Sequence, residues 1–242
     1  MMREKNPFDY FDKIFCINLD CRPDRWEQVQ KEFDKVGILN KVERFSALSG
    51  TLPGGPQGKN VKGKLFWKNI DGCAMSEFKC VKIAKDLDLK NVLIFEDDVF
   101  FKNYDRQSLL RSVESLMKEN WKLFYLGGNI IDRNISEKFK EINNDLVKVN
   151  LPIYTTHAYA VNHTVFDEIL GNRFLKVDWN LETIVSHHKR IWTIDKYLGD
   201  KVGETYTIKA PMCFQVDGIS DINNEEINQT EMSLESYNRL FK

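Results

Sequence analysis

Val92-Leu-Ile-Phe-Glu96-Asp97-Asp98-Val99 runs four apolar residues into three carboxylates and back to an apolar residue. A short continuous apolar run of this kind reads as a strand buried on both faces. The carboxylates then fall at its C-terminal end, where ligands bind in an open α/β sheet. Three adjacent carboxylates repel one another, and a divalent cation relieves that repulsion because hard cations prefer oxygen ligands. Residues two apart in an extended segment point the same way. Glu96 and Asp98 are therefore expected to share a cation while Asp97 points elsewhere. The same three residues also suit a solvated acidic turn after a core strand, so the rest of the chain has to choose.

Working outward on the N-terminal side, Lys13 to Leu19 forms a second apolar run bounded by Asp20. It reads as a buried first strand. Arg22-Pro-Asp-Arg25-Trp26 follows, with Pro23 suited to the first turn of a helix. Trp26, Val29, Phe33 and Val36 recur at helical spacing, and Gly37 ends the helix. The intervening turn carries Asn18, Asp20, Arg22 and Arg25, and cationic groups near a helix N-terminus suit a phosphate-bearing ligand. Equally, Arg22 and Arg25 would serve as surface partners of Asp20, Asp24 or Glu27. Val42 to Ser46 reads as a further strand, and Ser49 to Lys64, dense in Gly and Pro, as a surface loop without the spacing of a Walker phosphate loop. Asp71 to Leu87 reads as a helix with Ala74, Phe78, Val81 and Ala84 on its apolar face.

On the C-terminal side, Gln107 to Lys118 is an amphipathic helix and Leu123 to Leu126 a strand closed by Gly127-Gly128, which permits close backbone approach of a ligand or a turn. Val147 to Val149, Tyr154 to Val161 and Thr205 to Ile208 read as strands. Val165 to Leu170 and Leu181 to His188 read as short helices. Asp132 to Asn144 reads as a surface excursion, and the polar tail from Asn223 as peripheral. His157 reads as a core group or a ligand. Asp195 sits at the start of a short helix, where it is either a cap or a general base.

The totals bound the class. A chain of 242 residues with 42% hydrophobic and 29% charged residues describes an ordinary globular protein of one domain. A formal net charge of -1 gives no basic field for nucleic acid. No apolar run approaches the roughly 20 residues of a transmembrane helix. The N-terminus has no signal-peptide core, so a cytoplasmic location is expected. The five cysteines lack zinc-ligand spacing and read as reduced thiols.

An acidic cluster at one strand end, arginines at another and an isolated later Asp together suit a substrate that carries phosphate and a metal, such as a sugar nucleotide. The sequence resembles glycosyltransferase family 25 through Ile17-Asn-Leu-Asp20 with Arg22-Pro-Asp-Arg25, Gly72-Cys-Ala-Met-Ser76 and Val92 to Asp98. Leu126-Gly127-Gly128, Thr156-His-Ala-Tyr159, Asp195 in a Thr-Ile-Asp context and Pro211…Gln215…Ser220-Asp-Ile222 extend the resemblance. These motifs keep their order over residues 13–222. The resemblance implies an α/β, GT-A-type (Rossmann-like) mixed sheet flanked by helices. Residues 13–128 would form the nucleotide-sugar part and 145–222 the acceptor side. It further implies a UDP-sugar donor carrying galactose or glucose, Mn2+ or another divalent cation, transfer with inversion, and a glycan or collagen-like hydroxylysine acceptor.

By the same resemblance Glu96 and Asp98 hold the metal, with His157, Asp217 or Asp221 completing the set. Asn18, Asp20, Arg25, Cys73, Ser76 and Asp97 line the donor, and Asp195 is the base. The family commonly carries His after the Ser of its Gly-Cys-x-x-Ser motif, where this chain has Glu77, a carboxylate that would repel a diphosphate. A catalytically silent sugar- or protein-binding module is the alternative. A metal-dependent nucleotidyltransferase is a third reading, disfavoured because no Gly-rich, Lys-bearing loop offers a triphosphate site.

Overall fold

The computed structural model describes residues 5–48, 62–171, 175–179, 183–187, 193–219 and 226–241. The N-terminal half holds β1 (Lys13–Asn18), α1 (Pro23–Lys35), β2 (Val42–Ser46), α2 (Lys62–Asp86), β3 (Asn91–Glu96), β4 (Val99–Phe101), α3 (Arg106–Leu116) and β5 (Leu123–Tyr125). Then come β6 (Asn129–Ile130), β7 (Phe139–Glu141), β8 (Leu146–Val149), β9 (Ile153–Tyr154), β10 (Ala158–Asn162) and α4 (Phe166–Leu170). The chain continues through β11 (Leu175–Asp178), β12 (Thr183–His187), α5 (Ile194–Tyr197), β13 (Thr205–Ile208), β14 (Cys213–Gln215), β15 (Gly218–Ile219), β16 (Glu226–Ile227) and α6 (Gln229–Phe241).

Eight strands form one mixed sheet in the order β2-β1-β3-β10-β5-β13-β8-β7. β1 runs parallel to β2 and β3, while β10 lies antiparallel between β3 and β5. The C-termini of β1, β2, β3 and β5 therefore share one edge with the start of β10. The acidic stretch, the Asn18–Asp20 turn, Gly127-Gly128 and Thr155–His157 all meet there. A depression of about 500 Å3 beside Tyr10, Lys90, Asn91 and His163 lies at the opposite strand ends and contains none of the predicted site residues.

Alternation along the central strands builds two cores. Val92 and Ile94 face one side with Phe15, Ala74, Phe78, Val81 and Ala84, so α2 covers that face. Leu93 and Phe95 face the other with Cys16, Val29, Phe33, Leu109 and Val113, under α1 and α3. Burying each such large apolar side chain contributes about 1.5–3 kcal/mol. The period of two carries Glu96 to the α2 side.

Several expectations are corrected. Leu181 to His188 is not a helix where described, since Thr183–His187 is a strand paired with β11. Its Thr-Ile-Val content is β-branched, which favours extended backbone over the short helical spacing. Tyr154 to Val161 is two strands, broken at Thr155, whose φ is 68°. β9 pairs with β6, whereas β10 joins the main sheet. α2 starts nine residues before Asp71, so Lys62–Lys64 belongs to helix rather than to the predicted loop, and the remainder of that loop, 49–61, lies outside the described residues. The tail is not peripheral, because α6 docks with Tyr237 only 2% exposed.

Candidate active site

Each carboxylate of the acidic stretch has its own direction. Asp97 turns toward β1 and α1, accepting from Asn18 Nδ2 at 2.6 Å and from Arg25 at 3.1 Å. Asp97 and Asp98 lie in the turn after β3 rather than in extended backbone, and Glu96 and Asp98 meet at one side chain. Gln215 Nε2 lies 3.3 Å from a Glu96 oxygen and 3.5 Å from an Asp98 oxygen, so one atom touches both carboxylates. Thr156 Oγ1 donates to the other Glu96 oxygen at 2.9 Å, and Arg25 reaches Asp98 at 3.5 Å. Burial raises the Asp98 carboxyl to about 6 against the opposing pull of Arg25. Burial and the neighbouring Asp98 and Glu77 raise Glu96 well above the ordinary carboxylate range. The pair thus presents hard oxygen donors whose chemistry suits a divalent cation.

The turn after β1 supports this pair. Asn18 is buried and fully engaged, donating to Asp97 and to the Arg22 carbonyl while accepting from Arg44 Nε at 2.8 Å. Asp20 is exposed and pairs with Arg44 and Ser46, whose hydrogen bonds lower its carboxyl from the ordinary value. Arg22 pairs with Asp24 at the surface, as the bland reading holds. Arg44, on β2, organises this corner and was not singled out in sequence, where it reads as one charged residue of a half-exposed strand.

His157 does not join the carboxylates. Its Nε2 lies 3.1 Å from the Cys213 carbonyl, and burial pushes the imidazole down to about 4. A Cβ on Gly127 would lie 1.9 Å from the same Cys213 oxygen. The close approach that Gly127 permits is therefore that of the chain's own β14, which carries Gln215. Through Nε2, His157 fixes the strand that holds Gln215, while its buried Nδ1 has no hydrogen-bond partner among the described residues. Asp217 accepts from Thr230 N and caps α6. Asp221 lies outside the described residues, as do Ser220 and Ile222.

On α2, Ser76 is fully buried, donating to the Gly72 carbonyl and accepting from Leu48 N at 2.9 Å. It joins the end of β2 to the helix and has no open face for a donor, which corrects its predicted role. Cys73 is half-buried, with Sγ 3.8 Å from Glu77 Oε1. Glu77 is 1% exposed and accepts from Tyr159 Oη at 2.9 Å. Burial raises its carboxyl to about 8, opposed by hydrogen bonds from Thr156 and Tyr159. Burial thus favours the neutral form of Glu77 and weakens the repulsion that a carboxylate here would exert on a diphosphate.

Asp195 stands in the first turn of α5, accepting from Lys196 N at 2.7 Å, from Thr193 Oγ1 and from Thr155 N at 3.4 Å. Its charge acts on Glu77 and Cys73, which puts it on the α2 side of the same edge. The cap-like bonds and the half-buried carboxylate coexist. Three donors fix the side chain and leave lone pairs for a further proton.

The pattern of glycosyltransferase family 25 (LPS biosynthesis protein) matches residues 11–172. The chain belongs to this glycosyltransferase family, and its mixed sheet is flanked by helices on both faces. Among its relatives, a glycosyltransferase 25 family member of Drosophila melanogaster is 27% identical over 202 residues, covering 75% of this chain and 32% of the relative. Procollagen galactosyltransferase 2 of Mus musculus is 26% identical over 198 residues, 74% of this chain and 31% of the relative. An inactive glycosyltransferase 25 family member 3 of Homo sapiens is 30% identical over 196 residues, 74% and 32% respectively. The chain spans about a third of the length of these curated relatives. Among the described residues, no helix is long and apolar enough to cross a membrane.

Proposed function

We propose that this chain transfers a hexose, galactose or glucose, from a UDP-sugar to an acceptor hydroxyl with inversion at the anomeric carbon. The observation that carries the reading is the single Gln215 nitrogen in contact with both Glu96 and Asp98, beside Arg25 and Asn18 at the strand ends. A cation of the Mn2+ class would be held by Glu96 and Asp98, where it would neutralise charge on the diphosphate. Arg25 stands ready to share that diphosphate. Asp195 accepts the proton of the acceptor hydroxyl as its oxygen bonds to the anomeric carbon and the bond to UDP breaks. The backbone amides of Thr155 and Lys196 hold the base so that little reorganisation accompanies that transfer. The acceptor class is a glycan or a hydroxylysine-bearing chain, in keeping with the relative named procollagen galactosyltransferase.

The test is calorimetric titration of UDP, UDP-galactose and UDP-glucose with and without Mn2+, followed by transfer to hydroxylysine peptide and glycan acceptors. Metal-dependent UDP binding with turnover supports the reading, and the sugar that adds affinity over UDP identifies the donor. UDP binding without turnover on any acceptor would favour a silent binding module, a reading to which the inactive human relative lends weight. Absence of UDP binding with and without metal would refute the donor site itself.

A further inference from the structure

The alternation that turns Glu96 toward α2 also sets it against two residues of that helix. Cys73 and Glu77 are one helical turn apart and share a face. One ligand atom from each of Cys73, Glu77 and Glu96 lies within 4.8 Å of the others. Glu77 forms a buried floor, while Cys73 and Glu96 are half-buried and open the group to solvent. A second observation lies next to Glu77, one tyrosine ring away. The Tyr125 hydroxyl is fully buried and has no hydrogen-bond partner among the described residues. Its ring stacks on Tyr159 with centroids 5.7 Å apart, and Tyr159 donates to Glu77. Glu77 is the foremost charged group acting on Tyr125. A buried hydroxyl of this kind calls for a polar group that the surrounding side chains do not supply.

We propose that Cys73, Glu77 and Glu96 form a second cation site, selective for a thiophilic divalent ion of the zinc class. The sulfur ligand sets the selectivity, because Mg2+ and Ca2+ take oxygen donors while Zn2+ and Co2+ accept thiolate and carboxylate together. Three protein ligands on a four-coordinate ion leave one position for water or substrate oxygen. Entry of the ion displaces the thiol proton of Cys73 and the protons that burial favours on the Glu77 and Glu96 carboxyls, all released to solvent. The site shares Glu96 with the Glu96–Asp98 pair but does not use Asp98, and it stands without the UDP-sugar reading.

The experiment is titration of the full metal-stripped chain with Co2+, followed by absorbance. One equivalent of Co2+ is expected to give a sulfur-to-cobalt charge-transfer band in the near ultraviolet. Cys73→Ser removes the band, and Glu77→Gln weakens Co2+ binding by about tenfold or more. Asp98→Asn and Cys21→Ser keep the band, the latter because Cys21 is an exposed thiol outside the cluster. In the unsubstituted chain, Zn2+ protects Cys73 from alkylation as read by peptide mass, which keeps the test independent of how Cys73→Ser folds. The proposal is overturned by no sulfur band at saturating Co2+, by a band that survives Cys73→Ser or vanishes in Cys21→Ser, or by unchanged alkylation of Cys73 under Zn2+.

Discussion

Glu77 is an acid buried beneath Cys73, Tyr159 and Glu96, and its cost depends on pH. The unfolded side chain ionises near 4.5, whereas burial holds the folded one neutral to about 8. Between these values the unfolded chain loses a proton that the folded chain keeps. Stability is therefore unpenalised below pH 4.5 and falls as pH rises toward 8, each tenfold difference in acidity being about 1.4 kcal/mol. Glu77→Gln keeps an acceptor for Tyr159 and removes the titration. In EDTA it should raise the melting temperature at pH 8 by several degrees, leave that at pH 4 nearly unchanged, and flatten the profile between. Equal profiles for the two proteins would show that Glu77 is solvated or charge-compensated. His157 acts in the opposite sense. Its folded value near 4 lies below the ordinary 6.5, so its contribution is complete above 6.5 and is lost as pH falls through that window. Removing His157 should lower stability by about 1–3 kcal/mol.

The elements that carry the site have sharply different tolerances. Gly127 joins β5 to β6 against the β14 backbone, and a methyl group there would overlap the Cys213 carbonyl at 1.9 Å. Gly127→Ala should therefore cost more than about 4 kcal/mol, or prevent folding, as read by denaturant unfolding. Asp98→Ala and Asp195→Ala should separate function from fold. The first, at the exit of β3, should abolish metal-dependent UDP binding. The second, in α5, should leave UDP affinity unchanged and lower turnover by at least about 100-fold, since a base acts on the transition state. Full turnover of Asp195→Ala would remove it as the base.

What could be read ahead of the structure follows from where the information resides. β1, α1, β3, α3 and β13 announce themselves through apolar run or period, and the direction of Glu96 follows from the pleat, whereas Asp97 and Asp98 are set by the turn after β3. Local pattern does not encode Thr155 at φ 68°, which divides one apparent strand into two. Nor does it encode the Cys213 carbonyl that claims His157, or the Arg44 and Gln215 side chains that complete the site from other strands. These depend on contacts between residues far apart in the chain, which no spacing rule records. Ser76 carries the same lesson, because a motif serine looks alike whether it meets substrate or ties a helix to a loop.

At the scale of the whole molecule, the C-terminal helix closes a circuit back to the acidic edge. Ser233 donates to the Gly128 carbonyl, Ile130 N donates to Ser236, and Tyr237 Oη lies 2.7 Å from Thr207 Oγ1 on the central sheet. At its first turn, Thr230 donates through Oγ1 to the Gln215 carbonyl at 3.2 Å and through N to Asp217. α6 therefore clamps both the sheet and the residue that touches Glu96 and Asp98. Two substitutions separate these jobs. Tyr237→Ala empties a buried aromatic site and should cost about 3–5 kcal/mol, a fall of roughly 6–20 °C in melting temperature for a chain of this size. Thr230→Val removes only the side-chain hydrogen bond at the half-buried helix start, so stability should change by about 1 kcal/mol or less. If α6 also sets the position of Gln215, Thr230→Val should still weaken metal-dependent UDP binding several-fold, because outer groups that orient a site tune its affinity. UDP affinity that stays unchanged in Thr230→Val would reduce α6 to a packing element and would detach the C-terminal tail from the chemistry at the strand ends.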